Sequence, residues 1–69
     1  MKALSPRECE VIQLLVGGLT RKEVACRLGV SMRTVTCYLS RVRAKTEMPT
    51  ILSAVAYVVK NGMVLVNSA

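Results

Sequence analysis

The chain has 69 residues, enough for one small domain with a limited core. Its net charge is +6, from 10 Lys and Arg against 4 Asp and Glu, and it has no histidine and three cysteines without a CxxC pair. This composition excludes a histidine general base and argues against a zinc site, so neither an enzyme nor a metal or cofactor is expected. With no signal peptide and no apolar run of membrane-spanning length, a cytoplasmic protein without membrane contact is predicted.

The excess positive charge lies in the middle of the chain. Residues 20–30 carry +2, from three bases and one glutamate, and residues 31–46 carry +4, from four bases and no acid. Because the flanking segments are balanced, a polyanion that contacts this middle third is the expected partner. With only two aromatic residues, both tyrosines, a stacking platform for single-stranded nucleic acid is not expected.

The first two helices are predicted at residues 6–16 and 21–28 from their capping residues. Ser5 and Thr20 are N-caps with Glu8 and Glu23 at the third helical positions, which makes two capping boxes. Glycines follow both helices, at 17–18 and 29, and favour their termination. The inward residues are predicted to be Val11, Ile12 and Leu15 in the first helix, and Val24, Ala25 and Leu28 in the second.

The third helix, predicted at residues 32–46 with Ser31 as its N-cap, has one apolar stripe and one basic face. The stripe consists of Val35, Leu39, Val42 and Thr46, spaced for one side of a helix. The opposite side, called the outer face, consists of Arg33, Thr36, Cys37, Ser40, Arg41 and Ala44. Its central residues are small, so bases in a DNA major groove can approach it closely. The alternative interpretation is a solvated basic helix.

The fourth helix, predicted at residues 51–60 after Pro49, is apolar on more than one side. A helix of this kind packs on the core with one side and is available to a partner subunit on another. The predicted dimer interface contains Ile51, Ala54, Val55, Val58 and Val59, with a core role for Val55 and Val59 as the alternative. The apolar residues 63–66 fit either a short strand or a segment packed on this helix.

Two short helices joined by a tight glycine-containing turn, the second helix basic, form a helix-turn-helix pattern. The chain resembles the LuxR/GerE-type DNA-binding domain over residues 4–62, and the apolar fourth helix favours this family over region 4 of sigma factors, the nearest alternative. The segments that carry the resemblance include Leu4-Ser5-Pro6-Arg7-Glu8, Gly18-Leu19-Thr20, Lys22-Glu23-Val24-Ala25, Val30-Ser31, Thr34-Val35 and Lys45. The resemblance implies an all-α, four-helix domain with its third helix in the major groove and its fourth helix pairing two subunits.

Four positions depart from the family pattern. Thr36 replaces a lysine that usually contacts DNA, Tyr38 replaces a common histidine, and Ser40 lies where a basic or polar contact residue is frequent. These changes reduce the electrostatic part of binding, which neighbouring arginines can restore. Thr46 replaces a leucine, so the turn into the fourth helix is expected to differ. The chain is either a natural single-domain protein or a fragment of a longer one; the domain begins at Met1 and ends in an apolar tail, so a natural single-domain regulator is the expectation.

The predicted function is a dimeric, sequence-specific, double-stranded DNA-binding regulator of transcription, and such a protein is expected to be associated with the nucleoid. The residues predicted to contact DNA are Lys22, Ser31, Arg33, Thr34, Thr36, Cys37, Ser40, Arg41, Arg43 and Lys45. The alternative is an interaction protein that pairs through its fourth helix with a larger LuxR-type regulator and modulates or blocks it. RNA polymerase is a further candidate partner.

Overall fold

The computed structural model describes residues 4–62, and within this range the chain is all-α, as predicted. Its four helices are α1 (Pro6–Val16), α2 (Arg21–Leu28), α3 (Met32–Thr46) and α4 (Ile51–Lys60). No strand occurs between residues 4 and 62. The apolar residues 63–66, for which a strand or a packed segment was considered, lie outside the described residues.

The helices begin where hydroxyl side chains cap them. Ser5 Oγ and Thr20 Oγ1 each accept the N–H of the third helical residue, Glu8 and Glu23, at 3.2 Å. Each glutamate in turn accepts the cap residue's N–H at 2.8 Å. These reciprocal bonds satisfy backbone donors that have no partner inside the helix. Local sequence therefore sets the starts of α1 and α2.

The turn between α2 and α3 depends on Gly29. This residue has φ 69° and ψ 33°, the left-handed conformation that glycine adopts without steric cost. The N–H of Val30 donates to the carbonyl of Ala25 at 3.0 Å, and the N–H of Gly29 donates to that of Cys26 at 3.2 Å. This Schellman motif ends α2 within one residue. The chain then enters α3 after only Val30 and Ser31.

The turn after α3 has the same hydrogen-bond pattern but no glycine. Glu47 takes the left-handed conformation, with φ 56° and ψ 30°, and the N–H of Met48 donates to the carbonyl of Arg43 at 3.2 Å. Thr46 is buried, and its hydroxyl donates to the carbonyls of Val42 and Arg43 at 2.9 and 3.1 Å. Thr46, which departs from the family pattern, and Glu47 therefore form a hydrogen-bonded turn in which Glu47 has the unfavourable left-handed backbone conformation.

Helix α3 is the centre of the fold because it packs against all three other helices. Its predicted stripe is confirmed: Val35, Leu39 and Val42 are at most 1% exposed, and Thr46 is buried. The core that they join also contains Val11, Ile12, Val24, Ala25, Ala54 and Val58. Leu15 and Leu28, predicted to point inward, are half-buried at the edge of this core.

The residues predicted to form the dimer interface on α4 differ in burial within the subunit, and the interface itself stays a prediction. Ala54 and Val58 are fully buried in the subunit's own core, so they have no surface with which to contact a partner. The other three predicted residues, Ile51, Val55 and Val59, are half-buried at the edges of that core. Leu52, which was not assigned to the interface, is 82% exposed. The exposed apolar side of α4, which contains Leu52, therefore lies about one residue further around the helix axis than the predicted interface.

Candidate nucleic-acid interface

The outer face of α3 is open to solvent along most of its length. Arg33, Cys37, Ser40, Arg41 and Ala44 are exposed, while Thr36 is half-buried. Because the opposite stripe is fixed in the core, the helix cannot rotate to hide this face without unpacking the domain. The outer-face side chains between Arg33 and Arg41 are short, so the backbone of α3 can come close to a flat or grooved surface.

The charge on this part of the molecule is of one sign. Helix α3 contains no acidic residue, and its three arginines, Arg33, Arg41 and Arg43, are all exposed. Among residues 4–62 the ion pairs are Arg7–Glu10 and Lys45–Glu8, and neither involves an arginine of α3. The three guanidinium groups therefore remain available for phosphate or base contacts, in which they donate bidentate hydrogen bonds.

Arg41 lies against an aromatic ring on its own helix. Its guanidinium carbon is over the ring of Tyr38, 5.8 Å from the centroid, within the range of a cation–π contact. Tyr38 is half-buried and packs against the hydrophobic core with part of its ring. The ring therefore lies between the core and the outer face.

Lys45 is placed differently from the other predicted DNA contacts. Its Nζ donates to Oε1 of Glu8 at 2.6 Å, and this lysine side chain is 23% exposed while that of Glu8 is 2% exposed. The ammonium thus joins the last turn of α3 to the first turn of α1. A phosphate contact by Lys45 would compete with this pair, and that contact stays a prediction.

Two opposing effects act on the Glu8 carboxyl. Burial raises its pKa, whereas the hydrogen bonds from Lys45 and from the Ser5 N–H, with the positive charge of Lys45, lower it, and the net pKa is below the ordinary glutamate value. The pKa of Glu23 is lowered as well, first by the N–H of Thr20 and then by its hydroxyl. Both glutamates are therefore ionised at neutral pH.

The first turns of α2 and α3 have backbone N–H groups without a partner inside their own helices. Ser31 Oγ accepts the N–H of Thr34 at 3.1 Å, and the two hydroxyl oxygens are 3.0 Å apart. Both predicted contact residues are therefore already engaged locally. Lys22, in the first turn of α2, is exposed. Such helix starts favour anions because the dipole and the N–H groups point outward.

A shallow apolar groove lies on another side of the domain, between α1, α3 and α4 and next to the start of α2. It has a volume of about 320 Å³ and is lined by Leu15, Val16, Arg21, Leu39, Ile51, Leu52 and Val55. Leu52 is at its rim and the most exposed large apolar residue among residues 4–62. The groove is separate from the outer face of α3, because only the buried stripe residue Leu39 of that helix reaches it.

Three structural features at or near the candidate interface were not predicted from the sequence. The Tyr38–Arg41 contact has a local signal, since residues three apart are neighbours on a helix. The exposure of Leu52 has a weaker signal in the sequence, because in a helix that is apolar on several sides the sequence pattern does not identify the outward side. The Glu8–Lys45 pair joins residues 37 apart in the chain, so it had no local signal at all.

No helix within residues 4–62 has both the length and the apolar composition required to cross a membrane. This finding concerns helical spans in the described part of the chain.

Comparison with known proteins places the chain in a family. The model of the bacterial regulatory proteins, luxR family, matches residues 2–58. The chain is 40% identical over 60 residues to "Probable transcriptional regulator ycf29" of Porphyra purpurea, covering 87% of this chain and 29% of the relative. It is 38% identical over 66 residues to "Transcriptional activator protein AhyR" of Aeromonas hydrophila, covering 96% of this chain and 25% of the relative. It therefore corresponds to a minor part of these relatives.

The fold is similar to a solved structure, "Structure of Transcription factor, GerE". The two superpose with a TM-score of 0.84 at 26% identity, over 94% of this chain and 97% of that chain. The family match and this superposition confirm the predicted resemblance. The chain belongs to the luxR family of bacterial regulatory proteins, and its fold is that of the family's helix-turn-helix DNA-binding domain.

Proposed function

We propose that the chain binds a specific double-stranded DNA site as a dimer, with α3 in the major groove. The observation that carries this proposal is the outer face of α3, which is exposed, cationic and free of carboxylates. Major-groove readers need a helix whose front is short enough to approach base edges and whose back is fixed in a core. Helix α3 meets both requirements.

The predicted contacts divide into two groups by position. Arg33, Arg41 and the short residues between them face the bases, where an arginine recognises guanine through two hydrogen bonds. Arg43 and Lys22, with the helix starts at Thr20 and Ser31, hold phosphates and set the orientation on the duplex. Thr36, Cys37 and Ser40 are short and uncharged, so they allow α3 to approach the bases closely but add no charge.

The test begins with selection of bound fragments from random duplexes, followed by titration of the recovered site. Arg41→Ala is expected to weaken binding by about tenfold to a hundredfold if it reads a base. Arg43→Ala is expected to weaken binding to every duplex and to reduce the log–log salt slope by about 0.9. Arg7→Gln, which removes one positive charge from an exposed position on α1, is the matched control. Unchanged affinity of Arg41→Ala for all duplexes would refute the proposal.

We assign dimerisation to the exposed side of α4, with Leu52 at its centre and Ile51, Val55 and Val59 beside it. An 82% exposed leucine next to an apolar groove supports a contact that is completed by another copy. Leu52→Glu is expected to shift the sedimenting species from dimer to monomer on DNA, with the melting temperature retained. A dimer that persists in Leu52→Glu would exclude this surface.

The same exposed surface supports the second candidate function, pairing with a larger LuxR-type regulator. The two functions differ in what the chain does without a partner. Measurement of its mass alone, with DNA and with such a regulator separates them. A monomer that binds no selected duplex but forms a complex with the regulator, lost in Leu52→Glu, would favour the second function.

A further inference from the structure

We infer that Tyr38 is a positioning residue that holds the guanidinium of Arg41 ready for contact with DNA. The inference rests on the proposed function, since it concerns how one predicted contact residue is prepared for binding. Its basis is the placement of the Arg41 guanidinium carbon over the Tyr38 ring, 5.8 Å from the ring centroid.

The ring is a fixed support for a flexible side chain. Tyr38 is half-buried and packs against the core, so its two side-chain torsions are restrained by its neighbours. Arg41 is exposed, and among residues 4–62 no carboxylate forms an ion pair with it. Side chains on a helix lean towards its N-terminus, which brings Arg41 back over the residue one turn earlier. The aromatic face is then the partner that limits its motion.

An aromatic partner does not accept the N–H groups of Arg41 in the way that a carboxylate partner would. A cation–π contact uses the face of the guanidinium, whereas its N–H donors point outward in the plane of the group. Ordering a long side chain on binding costs affinity, so a guanidinium that is already restrained loses less. A carboxylate partner would restrain Arg41 too, but it would occupy the donors and cancel the charge. Tyr38 does neither.

The test is a double-mutant cycle on the duplex recovered by selection. Tyr38→Leu keeps an apolar side chain against the core but has no aromatic face, and Tyr38→Phe keeps the ring without the hydroxyl. Tyr38→Leu is expected to weaken binding about threefold to tenfold, and Tyr38→Phe is expected to match the wild type. In the Arg41→Ala background, Tyr38→Leu is expected to have no further effect. The salt slope of Tyr38→Leu stays that of the wild type, because no charge is lost.

A second readout uses the free protein. Relaxation of the Arg41 Nε–H group by NMR is expected to show greater motion in Tyr38→Leu than in the wild type or in Tyr38→Phe. If Tyr38→Leu weakened binding by disturbing the core, its melting temperature would fall. Its loss of affinity would then also be seen in the Arg41→Ala background.

Three results would overturn the inference. Equal losses in Tyr38→Phe and Tyr38→Leu would assign the effect to the hydroxyl, and additive losses in the double variant would show that Tyr38 acts without Arg41. Unchanged Arg41 motion in Tyr38→Leu would exclude the restraint. If instead Arg41→Ala leaves the affinity for all duplexes unchanged, the proposed function fails. That failure can be distinguished from failure of the inference, because the motion of Arg41 is measured in the free protein.

Discussion

The ammonium of Lys45 and the carboxylate of Glu8, 2.6 Å apart, connect the last turn of α3 to the first turn of α1. The same carboxylate oxygen accepts the N–H of Ser5 at 2.8 Å, so Glu8 caps its own helix while it binds the neighbouring one. Both bonds are stronger when Glu8 is ionised. One buried side chain thus links the start of α1 to the orientation of α3, the helix whose outer face is proposed to bind DNA.

Loss of one partner of this pair is expected to have unequal effects. Lys45→Met keeps the aliphatic stem but leaves a buried carboxylate without its cation, so we expect a loss of about 1–3 kcal/mol in the free energy of unfolding. Glu8→Gln keeps an acceptor for the Ser5 N–H and leaves an ammonium that can reach water, so a smaller loss is expected. Urea unfolding followed by circular dichroism measures both. Equal losses of unfolding free energy in the two variants would show that the burial of Glu8 does not determine the size of the effect.

Acid is expected to destabilise the domain through two glutamates. The folded-state pKa of Glu8 and of Glu23 is below the ordinary value, so each favours the folded state fully above the pH at which an unfolded glutamate titrates. That contribution is lost as the pH falls through the lower, folded pKa. Melting temperatures measured from about pH 7 down to about pH 3 are therefore expected to decline at the acid end. The decline should be shallower in Glu8→Gln and Glu23→Gln; curves parallel to the wild type would contradict this assignment.

One substitution in the turn after α3 is expected to stabilise the domain. Glu47 has φ 56°, a conformation that costs a residue with a side chain more than glycine. Glu47→Gly is expected to raise the free energy of unfolding by about 0.5–1 kcal/mol, after the greater chain entropy of glycine is subtracted. Glu47→Ala is the control, because it removes the carboxylate from the negative helix end but retains the strain. If alanine stabilises as much as glycine, charge rather than backbone conformation is responsible.

A negative charge on the outer face of α3 is expected to abolish DNA binding without unfolding the domain. Ser40 is exposed and lies among the short side chains of that face, so Ser40→Glu places a carboxylate where the duplex would approach. Affinity for the selected duplex should fall by about a hundredfold or more, since like-charge contacts at an interface cost several kcal/mol. Arg7→Gln makes the same change in net charge on α1 and is expected to bind nearly as the wild type. Equal losses in the two variants would mean that only total charge matters.

Most of the fold was predictable from short stretches of sequence. The predicted bounds of the helices agree with the structure because caps and terminating turns are local: Ser5 and Glu8 are three residues apart, and Gly29 supplies its own conformation. The stripe of α3 follows from the helical period, and Val35 and Leu39 are buried as that period requires. Which outer-face residues contact DNA stays a prediction, since a face can be derived from periodicity but its partner cannot.

The sequence by itself determined where each helix begins and ends and which side of α3 is polar, because those properties depend on residues within one or two turns of each other. Only the tertiary structure decided which side of α4 is buried, since an apolar helix offers several sides and the packing against α3 selects Ala54 and Val58 and leaves Leu52 outside. It also decided that Lys45 meets Glu8, a contact between side chains 37 residues apart that exists only after α1 and α3 have packed.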